Sequence, residues 1–106
     1  MKESVNLFED KNWEDADNYP SGTKRKVLRN EDGIRTILLK LPKGFYMPPH
    51  SHVVTEQDFV LEGEYISNGK VYTKGSYQLF APHDEHGPFE SKKGALILVV
   101  WDKSKL

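Results

Sequence analysis

An all-β fold, a small barrel or two-sheet sandwich, is what the sequence predicts, and three observations carry the prediction. From Lys24 onward the apolar and β-branched runs are short and bounded by Gly, Pro, Asn and Asp. No stretch sustains a helical periodicity long enough for a helix. The runs amount to about eight or nine strands in a chain of 106 residues, so the sheet has to close on itself or pair with a second layer to protect its edges.

Residues 1–22 read as an N-terminal arm and residues 23–106 as the barrel. The arm is acidic, with Val5, Leu7, Phe8, Trp13 and Tyr19 as isolated apolar positions and Pro20-Ser21-Gly22 closing it. Aromatic anchors offset the ordering cost of such a segment, so it is expected to pack on the barrel or to exchange with a partner subunit. Lys24 to Arg29 is the first predicted strand, and Asn30-Glu31-Asp32-Gly33 turns the chain into a second, Ile34 to Leu41. Alternation puts Ile34, Thr36, Leu38 and Lys40 on one face and Arg35, Ile37, Leu39 and Leu41 on the other. Pro42-Lys43-Gly44 breaks it.

The strongest local signal is Asn68-Gly69 between Tyr65-Ile66-Ser67 and Lys70-Val71-Tyr72, since Asn-Gly supplies the two positive-φ positions of a type I′ hairpin turn. Lys74-Gly75 turns again, Tyr77 to Phe80 is a strand, Ala81 to Glu85 a proline-bearing loop, and His86 to Phe89 a short strand. Lys92-Lys93-Gly94 leads into Ala95 to Trp101, whose unbroken apolar character suits a strand covered on both sides.

Fifteen basic and sixteen acidic residues give a net charge of -1, which lacks the electrostatic footprint of a nucleic-acid binder. The triplet Lys24-Arg25-Lys26 reads as a solvated strand edge. With no cysteine, neither a disulfide nor a thiolate metal site exists, and any ion must be held by nitrogen and oxygen. Met1 to Asp10 lacks the apolar core of a signal peptide, and Ala95 to Trp101 is too short to span a bilayer. The expectation is a soluble cytoplasmic protein with neither nucleic-acid nor membrane partners.

All four histidines lie in the middle of the chain or just beyond it. On a strand His50 and His52 point to the same side and can bind one ion, Glu56 follows after a turn, and His86 must arrive from a later strand. Three neutral imidazoles and a carboxylate suit one divalent ion of iron, manganese, nickel, cobalt, copper or zinc. His83 reads as a turn residue of the Pro-His-Asp loop, or, at a cavity rim, as a candidate catalytic base. Asp58 shares parity with Glu56 and reads as solvated, with support of a ligand as the other reading. No Ser-His-Asp or Cys-His arrangement and no phosphate-cradling glycine loop is present.

The run Gly44, five residues, His50-Ser51-His52, three residues, Glu56, six residues, Gly63 resembles the first motif of the cupin family. Gly75, Ala81, His83 and His86 match the spacing of the second, with Ala81 where proline is usual, His83 where glycine is usual, Pro82 one place along, and Phe89-Glu90 where an asparagine is expected. None of these departures removes a ligand. The resemblance covers Lys24 to Asp102 and implies a jelly-roll barrel in which His50, His52, Glu56 and His86 bind the ion.

It further implies a metal-dependent oxygenase similar to the small cupin dioxygenases that cleave diketone-like compounds, acting on a small-molecule substrate with adjacent oxygens. The Gly44 to Gly63 segment, with its run from Glu56 to Gly63, also resembles the cupin domains of zinc-binding anti-sigma factors, so a sensing module with a non-catalytic metal is the alternative. A small-sugar isomerase is a third, for which more basic residues near the cavity would be expected. Small cupins commonly pair, and a homodimer is expected.

Overall fold

The computed structural model describes residues 4–103, which form nine strands and no helix. These are β1 (Glu14–Asp15), β2 (Lys24–Glu31), β3 (Ile34–Leu41), β4 (Phe45–Met47), β5 (Thr55–Ser67), β6 (Lys70–Thr73), β7 (Tyr77–Phe80), β8 (Phe89–Ser91) and β9 (Ala95–Asp102). They belong to one curled sheet in the order β1-β2-β3-β9-β5-β8-β4, with β6 and β7 also paired to β5. The all-β jelly-roll architecture is as the sequence predicts. The β2–β3 turn is tighter than expected: β2 runs on to Glu31, and Asp32 (φ 51°) and Gly33 (φ 77°) alone reverse the chain. Asn68 (φ 50°) and Gly69 (φ 79°) make the same kind of turn between β5 and β6.

β5 curls the sheet. Its first half pairs with β9 and β7, and its second half with β6 and β8. The change of partners falls at an irregularity between Val60 and Glu62, followed by Gly63 at φ 72°. A Cβ on Gly63 would stand 2.4 Å from the Gly94 carbonyl oxygen, so the corner admits only glycine.

Alternation along β3 and β9 sends Ile37, Leu39 and Leu41 and Ala95, Ile97 and Val99 inward, where they pack with Val60, Tyr65, Phe45 and Phe89. The opposite face is covered in part as well, for Leu38 is 1% exposed and Leu96 8%. Arm residues Val5, Asn6, Glu9, Asn12 and Glu14 share a groove with Leu38. The arm is held there by β1 pairing with β2, by the Lys26 ammonium donating to the Glu9 carbonyl, and by Lys26 and Lys40 lying 4.5 and 5.4 Å from the Trp13 ring centre. Its last stretch turns inward: Ala16 joins the core and Tyr19 packs against it.

Candidate metal centre

The segment carrying His50 and His52 is not a regular strand. Pro48 and Pro49 offer no N–H for a ladder, and the chain from His50 to Val54 is irregular apart from one bridge. That bridge joins His50 to His86: the His50 N–H donates to the His86 carbonyl at 3.0 Å and the His86 N–H to the His50 carbonyl at 2.8 Å. His86 likewise lies outside a strand, since Pro88 interrupts the ladder and β8 starts at Phe89. The two histidines are therefore set side by side by a reciprocal backbone pair. A third backbone bond, from the His83 N–H to the His52 carbonyl at 2.7 Å, ties His52 to the loop before His86.

The result is a convergence of His50, His52 and His86, whose candidate ring nitrogens all lie within 4.8 Å of one another. Glu56, the second residue of β5, stands beside them with Oε1 3.2 Å from His52 Nε2 and Oε2 3.8 Å from His86 Nδ1. His50 Nδ1 is 3.3 Å from the Pro48 carbonyl. A proton on that nitrogen leaves Nε2 with a free lone pair.

Charge at the site is set by burial. His86 is 3% exposed, and desolvation, stronger than the pull of Glu56, lowers its pKa to about 4, so the ring is neutral. Its Nδ1 is buried without a hydrogen-bond partner. A buried, neutral, unpartnered nitrogen facing two further imidazoles is the donor set a divalent ion requires, and the three histidines can hold one.

Burial also pushes Glu56 upward, but hydrogen bonds from His52, Asp58 and Trp101 and the proximity of His86 outweigh it and hold the carboxyl below its usual range. The Trp101 indole N–H donates to Glu56 Oε1 at 2.7 Å. Asp58, read as solvated, is instead 5% exposed, because its parity aims it at the barrel interior below Glu56. Burial and then the Glu56 charge raise its pKa well above the ordinary value, and Asp58 stays the neutral acid.

Beneath the cluster lies a cavity of about 40 Å³, lined by His50, Glu56, Asp58, Tyr19 and Tyr65 and walled by Leu39, Phe45, Phe89 and Val99. Burial and the nearby carboxyls raise the pKa values of both tyrosines, so their hydroxyls stay protonated. His83 is exposed, at φ 70°, and its ring is outside the histidine group.

Sequence reasoning missed Trp101, Arg35 and Tyr19. Glu56 faces Trp101 across β5–β9 and Trp101 faces Arg35 across β9–β3, so the three form one inward row. Strand alternation gives the face of each residue, but no local signal gives the row.

A rolled antiparallel sheet with three histidines and a carboxylate gathered at its mouth defines a small cupin. The chain belongs to the ChrR cupin-like domain family, whose model matches residues 1–104. It is similar in structure to an RmlC-like cupin from Shewanella frigidimarina, with 25% identity, TM-score 0.79, and coverage of 97% of this chain and 93% of the other. An acetylacetone dioxygenase from Acinetobacter johnsonii matches with TM-score 0.80 at 16% identity, over 95% of this chain and 74% of the other. A chain of the Rhodobacter sphaeroides complex of SigE with the anti-sigma ChrR matches with TM-score 0.72 at 21% identity, over 90% of this chain and 51% of the other. No curated protein matches the sequence. Among the described residues no helix is long and apolar enough to cross a membrane.

Proposed function

We propose that this cupin is a metal-dependent, dioxygenase-like enzyme acting on a small substrate that chelates through adjacent oxygens, such as a diketone. The observation that carries the reading is the convergence of three histidines and Glu56 at the barrel mouth, above a small, largely apolar cavity. His50, His52, His86 and Glu56 are the proposed ligands of one divalent ion of iron, manganese, nickel, cobalt, copper or zinc. Such an ion supplies Lewis acidity and, as iron(II), an open position for dioxygen.

The protein's own residues do the rest. Trp101 holds Glu56 in one orientation, and the apolar wall excludes water from the reacting oxygens. The protonated Tyr19, which lines the cavity, offers an O–H donor to a bound oxygen, whereas the Tyr65 hydroxyl already donates to Gln78. His83 contributes through its backbone bond to His52, and its exposed ring is the proposed base for a substrate proton.

The test is oxygen uptake by the iron(II)-loaded protein when acetylacetone is added, alongside the metal content of the protein as purified. Uptake above the rate of free iron(II) is expected. Zinc as the native metal, with no uptake in the iron(II) form, would instead favour a sensing module whose metal is structural, a reading supported by membership of the ChrR cupin-like family.

A further inference from the structure

Arg35 shares a cross-strand row with Glu56 at the barrel mouth. On the inner face of β3 it opposes Trp101, which opposes Glu56, so a guanidinium, an indole and a metal-site carboxylate stand in one row across three strands. Its Cζ lies 5.2 Å from the centre of the Trp101 ring, within cation–π reach. The same indole lies 6.0 Å from the His52 ring and donates to Glu56. Trp101 thus forms a floor running from the metal site to Arg35.

The arginine itself is unspent. Arg25 and Arg29 are paired at 3.0 Å with Glu14 and Glu31, whereas Arg35 has no ion pair among the described residues, and its Nε is buried without a hydrogen-bond partner. A buried donor of a cation left without an acceptor is costly, and binding an acceptor relieves the cost. Among the described residues no carboxylate is ion-paired with Arg35, and Glu56 is already engaged by His52 and Trp101.

We propose that Arg35 anchors a carboxylate of the substrate, so that the compound chelated at the histidine cluster is a short diketo acid and not a neutral diketone. Resting on the oxygen-chelating reading above, this narrows its substrate class. A guanidinium fork matches one carboxylate with two parallel hydrogen bonds. Phosphate recognition would call for further free cations, and the neighbouring Arg25 is already paired. The strand spacing of about 4.8 Å separates the Arg35 and Glu56 backbones by roughly 10 Å, and with both side chains reaching inward a short chain spans the remainder.

The experiment is a calorimetric titration of zinc-loaded, oxygen-inert protein with acetylpyruvate and with acetylacetone, which share a diketone and differ by a carboxylate. Wild type is expected to bind acetylpyruvate at least about tenfold more tightly. In Arg35→Met, with metal content checked, the ratio should fall to about one. Arg35→Lys, which keeps the charge without the fork, should lose part of the preference and serves if the methionine variant does not fold. A ratio unmoved by either substitution would assign the extra affinity to the metal and overturn the proposal, as would equal affinities in wild type, and either result leaves oxygen uptake with acetylacetone standing. Binding of neither compound would sink both readings together.

Discussion

Replacing Trp101 by Phe tests whether the metal-site carboxylate is held by its partners or merely lies among them. The substitution keeps most of the aromatic area and removes one donor, the indole N–H that reaches Glu56 Oε1 at 2.7 Å. Glu56 is 5% exposed, so water cannot replace the lost bond without opening the barrel mouth. A hydrogen bond to a buried charge contributes about 1.5–3 kcal/mol, and leaving the acceptor short of a donor keeps the loss near the middle of that range, about 2 kcal/mol. For a domain of this size each kcal/mol moves the melting midpoint by about 4–8 °C, so Trp101→Phe should melt roughly 10 °C below wild type when both are metal-free. Differential scanning calorimetry reads this directly. Glu56→Gln combined with Trp101→Phe should then show a coupling of about 1 kcal/mol or more. A midpoint within a degree of wild type, or additivity in the double variant, would mean that the indole bond does not hold Glu56.

Three further outcomes are expected. His52→Ala should lower the bound divalent metal measured by elemental analysis and abolish the thermal stabilisation that added metal confers, since an ion that binds only the folded state shifts unfolding by mass action; full metal content in that variant would remove His52 from the ligand set. In metal-free protein the folded pKa of His86, about 4, lies below its ordinary 6.5, so the unfolded chain binds the proton more readily. This contribution is complete above pH 6.5 and is lost as pH falls toward 4. Its ceiling is about 3 kcal/mol, cut to about 1–2 kcal/mol by solvent at the barrel mouth. Denaturation of wild type against His86→Asn across that range isolates it from Asp58, which titrates in the opposite sense; parallel curves would contradict it. Gly63→Ala places a Cβ 2.4 Å from the Gly94 carbonyl oxygen at a φ of 72°, and should cost about 2–4 kcal/mol in a urea titration.

What the sequence discloses and what it withholds divide along a physical line. Asn68-Gly69 and the alternation of Arg35, Ile37, Leu39 and Leu41 are local, because backbone dihedrals and side-chain faces are decided within a few residues, and the structure follows both. The spacing from Gly44 through His50, His52 and Glu56 to His86 was legible for a different reason, its resemblance to the cupin motifs, and the structure brings those side chains together. The route was not legible: a strand was expected to carry His50 and His52, but Pro48, Pro49 and Pro88 cannot extend a ladder, and one isolated bridge aligns His50 with His86 instead. The burial of Asp58 and the row Arg35–Trp101–Glu56 lay further out of reach. Parity says which face a residue takes, whereas register between strands far apart in the chain says which residues become neighbours, and no composition or period encodes it. The aspartate read as solvated is buried because β5 is flanked by β9 and β7 at that position, Asp58 standing opposite Val99 and Gln78. Three-strand register thus sets the row from Arg35 through Trp101 to Glu56, while one isolated bridge sets His50 against His86 beside it.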